Sequence, residues 1–355
     1  MEIAGSLAAR TQNLFERKVA ASDEAIRSEV GPRRETTSGL TSQEIKSIFE
    51  DKVAPSINFV GCGRKGPTAL VLIGQVGAGK TTAQQGLMKK FDIADAAVID
   101  CDAMLAYHPR YASRAYQADV ASFDDTRAIH ACGEAAEVWH DMAMDRAVRT
   151  RSNIVIPMNG SIGALGDLQE SGYQVEVAYL AVDDLRSKQA VIARYIDARN
   201  SQGYGRIASP DSDDRLYKRV IYMAETGQRG LFIDGINAVN RDGHVLARMT
   251  YPFKPGKQKT IVNAIKTERI REWTTGEATH FWATQIRLEQ QPMASSMRDH
   301  LLSIRQRAWH ERPESVRQAG LAYASPYSGG THSRTSSSAT VPGRSHHPTN
   351  PQRRR

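Results

Sequence analysis

The chain has 355 residues, 40% of them hydrophobic and 24% charged, the balance of a globular protein with polar additions and not of a wholly disordered chain. Its net charge of +8 is largely terminal, because Arg334, Arg344, Arg353, Arg354 and Arg355 follow Leu321 in a stretch without Asp or Glu; the near-neutral body argues against a nucleic-acid binder. No apolar run approaches the roughly 18 residues that cross a bilayer, the first thirty residues lack the apolar core of a Sec-type signal, and Cys62, Cys101 and Cys132 suit neither a disulfide scaffold nor a zinc site.

Residues 1–40 are polar and rich in Ala, Ser and Arg, with Gly31-Pro32 as a breaker, and read as a flexible segment. Thr41-Ser42-Gln43-Glu44 then matches a capping box, and Ile45, Ile48, Phe49 and Val53 follow at helical spacing. The apolar run Thr68 to Ile73, after a glycine-rich loop, reads as a buried parallel strand. Similar runs are Ala96 to Ile99, Asn153 to Ile156, Val175 to Val182 and Leu231 to Ile236, with a last strand from Gly243 to Met249 behind an Asn240-Arg-Asp-Gly243 turn. Helical stretches lie between them, which is the alternation of a parallel sheet covered on both faces. Helices are expected over Ile261 to Arg271, Gly276 to Gln291 and Met297 to Trp309. In the first, Ile265 and Ile270 would cover the sheet while Lys266, Glu268, Arg269, Arg271 and Glu272 meet water. The Ser, Pro and His-rich segment 313–355 reads as a disordered basic tail, leaving 41–312 as the folded domain.

Gly74-Gln75-Val-Gly77-Ala78-Gly79-Lys80-Thr81 fits G-x-x-x-x-G-K-[ST] at every fixed position, after a predicted strand and before a predicted helix that begins with Thr82. Glycines let the loop turn so that several N–H groups face one anion, and the helix N-terminus adds its positive end. Lys80 suits the β- and γ-phosphates and the Thr81 hydroxyl suits Mg²⁺. The fold class is therefore α/β, a P-loop kinase-type parallel sheet with helices on both faces, a helical C-terminal extension and a disordered tail. The cofactors expected are ATP and Mg²⁺. The second strand runs into Ile99-Asp100-Cys101-Asp102, and strand C-termini line the ligand crevice of open α/β sheets. Residues two apart on extended chain share a side, so one carboxylate could act as base while the other, Asp100, organises the metal.

With His108-Pro109-Arg110-Tyr111 added, the ordered motifs resemble the zeta toxin family of bacterial kinases. The likeness continues through Asn153 to Ile156, Gly172-Tyr173, Arg194-Tyr195, Gly205-Arg206, Ser209-Pro210, Gly230-Leu231-Phe232 and Asn240-Arg241, and covers about 40 to 312. It implies transfer of the γ-phosphoryl of ATP to a sugar hydroxyl of UDP-N-acetylglucosamine. By the same resemblance Asp102 is the general base, Lys80, Arg194 and Arg206 complete the catalytic set, and Asp141, His108 and Asn159 belong to the acceptor side. It also implies a cytoplasmic bacterial protein and brings in a protein antitoxin, which the sequence leaves open.

The family's third strand ends in Glu-Gly-Thr, whereas this chain reads Ile156-Pro157-Met158-Asn159-Gly160-Ser161. Proline removes a charged acceptor and a backbone donor, while Asn159 could stand for the threonine. The alternatives are therefore a kinase of NAD or a related dinucleotide, as in zeta-like effectors delivered into another cell, and an inactive NTP-binding relative that acts by interaction.

Overall fold

The structure, a computed structural model, describes residues 39–63, 66–115, 127–158, 165–207, 210–227, 233–252 and 259–324. Asn159, the segment 1–38 and the tail beyond 324 lie outside them. The N-terminal helix α1, Ser42–Ile48, starts as its sequence demands: the Thr41 hydroxyl accepts from the Glu44 N–H at 3.2 Å and the Glu44 carboxylate accepts from the Thr41 N–H at 2.8 Å. It continues through a π turn, Phe49–Val53, which keeps Phe49 and Val53 buried.

Six strands form one sheet: β1 Thr68–Ile73, β2 Ala97–Val98, β3 Ile154–Met158, β4 Gln174–Leu180, β5 Gly235–Val239 and β6 Val245–Thr250. Their order is β2-β3-β1-β4-β5-β6, parallel up to β5 and antiparallel at β6. Because β1 lies between β3 and β4, the chain leaves it to one side and later returns to the other, so the crevice opens at the end of β1. Alternate residues of β1 feed two cores. Ala69, Val71 and Ile73 pack with helix α4, Arg127–Thr150, while Leu70 and Leu72 pack with helix α2, Lys80–Lys90. The β5–β6 turn forms where expected, the Asn240 side-chain oxygen accepting from the N–H groups of Asp242 and His244 at 3.1 and 2.9 Å.

Every strand after the first differs from the sequence reading at its ends, and two of the differences have a clear physical reason. The fifth lies at Gly235–Val239 and not at 231–236, because Asn237 interrupts the apolar run; it is tolerated in the sheet as its amide donates to the buried Glu176 carboxylate at 3.0 Å and to the Val177 carbonyl at 3.2 Å. The third continues through Pro157 to Met158. Main-chain groups of Asn153 and Val155 face β2, accepting from Ala97 and Ile99, so the missing N–H of Pro157 would point the same way, past the end of the two-residue β2.

After β3 come α5 Leu165–Glu170, α6 Asp184–Gln202, α7 Pro210–Gly227, α8 Lys259–Ile270, α9 Thr275–Glu289, α10 Ser295–Glu311 and α11 Glu314–Ala324. The segment expected to be disordered from 313 thus begins with a helix. It is held because Val316 is fully buried and its carbonyl accepts from the Trp282 indole at 2.7 Å. Only α8 of the C-terminal helices packs on the sheet core, through Ile261, Val262 and Ile265, and Ile270 is 79% exposed instead of covering the sheet. A third core joins α6 to α9, α10 and α11 through Leu185, Ile192, Phe281, Trp282, Leu301 and Val316.

Candidate active site

The loop between β1 and α2 turns on two left-handed glycines, Gly77 at φ 73° and Gly79 at φ 86°. Neither position accepts a side chain: a Cβ on Gly77 would lie 2.1 Å from the Ser187 carbonyl oxygen and one on Gly79 would lie 2.9 Å from Cγ of Arg241. Gly74 and the buried Ala78 complete the bend, the Ala78 N–H donating to the Gln75 carbonyl at 3.2 Å. Lys80 folds back into it, its ammonium donating to the carbonyls of Gly74 at 3.0 Å and Gln75 at 3.5 Å. Burial pushes Lys80 down to about 8, opposed by the charge of Asp102, deepened by Arg194 and opposed again by Asp100. The charges of Asp102, Arg194 and Asp100 are thus all felt at the Lys80 ammonium. Thr81 and Thr82 are exposed on the first turn of α2. The side chain of Gln75, by contrast, is 1% exposed and turns into the domain, so only its main chain belongs to the loop's inner wall.

The acidic pair adopts a geometry different from the extended one expected. The strand stops at Val98 and a short helix α3, Cys101–Met104, begins at once, so Asp100 is its N-cap and accepts from the Asp102 N–H at 3.0 Å. Burial, then the neighbouring Asp102 charge, raises the Asp100 carboxyl above its ordinary range. Asp102 lies in the exposed first turn and pairs with Arg206 at 2.8 Å. Between them the Cys101 thiol is pushed up to about 12, first by burial and then by Asp102, Glu137 and Asp100, which leaves it a poor nucleophile.

Arg206 reaches Asp102 because the chain reverses after α6. Gly203 ends that helix at φ 85° and donates to the Arg199 carbonyl, and Gly205 then lies so close to Tyr195 that a Cβ would come within 2.6 Å of its carbonyl oxygen. The neighbouring Tyr204 meets Tyr111 edge to face, ring centroids 6.1 Å apart. The His-Pro-x-Tyr and Gly-Arg segments, about 100 residues apart, are thereby joined beside Asp102.

Of the residues implied for the acceptor side, His108 is 2% exposed, and its Nδ1 accepts from the Arg110 N–H at 3.1 Å, which shapes the turn carrying Tyr111. Tyr111 is the member of that motif facing the site, its phenol raised by burial and partly lowered by Arg206. Asp141 points outward with its side chain 85% exposed, 3.5 Å from His140. Glu137, one turn earlier on the same face of α4, is the acid whose charge reaches Cys101. Sequence reasoning missed Tyr111, Glu137 and Arg241 as site candidates, although all three stood next to or within motifs it had marked. Arg241 borders a small polar hollow beside the phosphate loop, lined also by Asp183, Arg186, Glu268, Arg271 and Glu277. Burial, followed by the Arg186 charge, lowers the Arg241 guanidinium below its ordinary value.

The profile described as Zeta toxin matches residues 58–248, more than half of the chain. Among solved structures, one from the PezAT chromosomal toxin–antitoxin system of Streptococcus pneumoniae is 17% identical with a TM-score of 0.59, over 71% of this chain and 99% of that one. The AvrRxo1-ORF1:AvrRxo1-ORF2 structure with sulphate ions is 13% identical with a TM-score of 0.45, over 84% and 95%. A putative kinase from Chloroflexus aurantiacus is 12% identical with a TM-score of 0.35, over 57% and 99%. No curated protein matches.

Proposed function

The chain belongs to the zeta toxin family and is a P-loop kinase of that toxin class, and from this premise we propose that it transfers the γ-phosphoryl of ATP to a sugar hydroxyl of a nucleotide-linked small molecule. UDP-N-acetylglucosamine is the first acceptor and NAD or a related dinucleotide the second. The observation that carries the reading is the phosphate loop folded around Lys80, which feels the charges of Asp100, Asp102 and Arg194, with Arg206 held on Asp102.

In this reading the loop N–H groups and Lys80 hold the β- and γ-phosphates. Asp102 takes the proton of the attacking hydroxyl as the new oxygen–phosphorus bond forms and the bond to the ADP oxygen breaks. Arg194 and Arg206 neutralise charge on the migrating group, and planar guanidiniums suit its oxygens better than ammonium groups. Arg206 must leave Asp102 for both to act, so acceptor binding would exchange one ion pair for another. Mg²⁺, when bound, would add charge neutralisation at the phosphates. The exposed Thr81 hydroxyl and the Asp100 carboxylate fit it. Among the described residues no cluster of three or more His, Cys, Asp or Glu is arranged to hold a metal ion, which suits an ion that takes most of its ligands from nucleotide and water.

Pro157 favours the second acceptor. At the end of β3, opposite Leu72 of β1, it offers neither a carboxylate nor an N–H, and a site without such groups loses the discrimination they give. We also propose a protein antitoxin as partner, as in the system of the pneumococcal relative, and a cytoplasmic or effector-delivered protein. No described helix is long and apolar enough to cross a membrane. Incubation with Mg²⁺ and γ-labelled ATP, separately with UDP-N-acetylglucosamine and with NAD, tests this. A labelled sugar nucleotide supports the first acceptor and labelled NAD the second, while label on neither removes both.

A further inference from the structure

The fully enclosed side chain of Gln75 has no role in the phosphoryl transfer just described, yet it is bound on every side. Its amide nitrogen donates to the Val182 carbonyl at 3.0 Å and to the Ser187 hydroxyl at 3.3 Å, and its amide oxygen accepts from Arg269 at 3.3 Å. Ser187 in turn donates to the carbonyls of Asp183 and Asp184, both at 3.0 Å, in the first turn of α6. Two separated parts of the chain thus meet at one residue of the phosphate loop: the start of α6 and the end of α8.

Arg269 was expected on a solvent face, but it is 5% exposed. Its guanidinium lies 3.8 Å from the centre of the Tyr217 ring on α7 and donates to the Tyr217 carbonyl at 2.9 Å. An arginine so enclosed is costly unless its geometry is used, and its Nε has no partner among the described atoms. The residue lies beyond the part of the chain that matches the family, 58–248.

The loop also touches α6 directly. The same absent Cβ of Gly77 that would meet Ser187 would lie 3.0 Å from a methyl of Val191. Ser187, Val191 and Arg194 are spaced four and three residues apart, so they form one stripe along α6. The loop that holds Lys80 rests on the first two members of the stripe whose third is Arg194.

We infer that Gln75 and Arg269 form a brace that seats the phosphate loop against α6, which makes Arg269 a positioning residue that keeps Lys80 and Arg194 in register across the transferred phosphate. The brace rests on the phosphate-loop reading given above. It gives the helices after residue 248 a part in nucleotide binding and not only in packing.

Titration of the full chain with a fluorescent ATP analogue and Mg²⁺ tests it without knowledge of the acceptor. Arg269→Met and Gln75→Leu should each weaken binding about tenfold, because either leaves a buried polar partner unmatched. Arg269→Lys should return to within about threefold of the parent, and the double variant should be about as weak as the weaker single one, the mark of residues acting as a unit. Binding within twofold of the parent for Gln75→Leu, additive losses, or a lysine variant no better than the methionine one would overturn the brace. If Arg269→Met does not fold, Gln75→Leu and Arg269→Lys still decide. Lys80→Ala separates the two levels. If it binds like the parent, the phosphate-loop reading and the brace fall together; if it loses binding while Gln75→Leu keeps it, the brace alone falls.

Discussion

Around Lys80 the cleft is walled by main chain, and what stands behind that wall is buried: Gly77 against Ser187, Ala78 in the core, Gln75 bonded on each polar atom. Around Asp102 the candidate groups are exposed side chains from separate parts of the chain: Asp102 from α3 and Arg206 from the segment after α6, drawn together by an ion pair and a tyrosine contact, with Arg194 exposed on α6 itself. The first half is fixed before any ligand arrives, and the second is held in a resting arrangement that a ligand must change. Pre-organised main chain suits a phosphate group, which every donor nucleotide presents alike, whereas movable side chains suit an acceptor and the charge that develops on it.

Substitutions can sharpen or break this contrast. Lys80→Ala should lower γ-phosphoryl transfer by at least about a thousandfold and abolish most nucleotide binding, since it removes the ammonium that folds back onto the carbonyls of the loop; transfer assays and analogue titration read the two effects. Asp102→Asn should leave analogue binding within about twofold while turnover falls by about 10² to 10⁴, and a fully active variant would remove the base assignment. Gly77→Ala should lose nucleotide affinity by about a hundredfold, as the methyl group meets the Ser187 carbonyl at an already left-handed position. Retained affinity there would show that the donor wall yields more than its packing suggests.

Two smaller effects follow from charge. Arg248 donates at 2.8 Å to Glu176, which is fully buried and also holds Asn237 and Gln174. Arg248→Met should therefore cost about 3 kcal/mol in denaturant unfolding, the low end for a broken buried pair because two bonds remain. The site should be spared, as Glu176 lies near the opposite end of its strand from the cleft. The Lys80 ammonium, lowered to about 8, should begin to lose its proton in the nucleotide-free protein near that pH. Affinity for the analogue is then expected to fall as pH rises past about 8. Stability should move the other way, rising from pH 8 toward the unfolded value of 10.5, because the unfolded chain there binds the proton that the native one has released.

The same contrast explains which parts were legible in the sequence. A loop made of main chain needs glycines and one lysine at fixed spacing, so residues 74–81 declared both its position and its shape. The parallel strands announced themselves as apolar runs, and the fifth was displaced because Asn237, whose amide is buried against Glu176 and the Val177 carbonyl, looked like a strand end. On the acceptor side the motifs were marked, but spacing alone did not tell which of their members are exposed. His108 stood out by type yet serves its own turn, and Tyr111 three residues later faces Arg206. Asp141 and Glu137 lie one turn apart on one helix, a choice that spacing alone does not make. Arg269 could not be read as buried, because the groups that receive it, Gln75 and Tyr217, are 194 and 52 residues away.

The short helix α11 bears on how the chain would meet a protease. Trp282 reaches the Val316 carbonyl, and Gly320 lies so near that ring that a Cβ would come within 2.8 Å of it. The link into α11 is Arg312–Pro313, a bond that trypsin does not cut, and the Arg312 side chain is enclosed between Asp183 and the Trp273 ring; the first tryptic residue of α11 is therefore Arg317, next to the buried Val316. Cleavage at Arg317 would require that helix to open first. Digestion of the native protein should accordingly leave the Arg317–Gln318 bond intact longer than the bonds after exposed arginines such as Arg287 or Arg305, and a chain nicked at Arg317 would loosen the cover of Trp282 and uncover the core that supports the helix bearing Arg194.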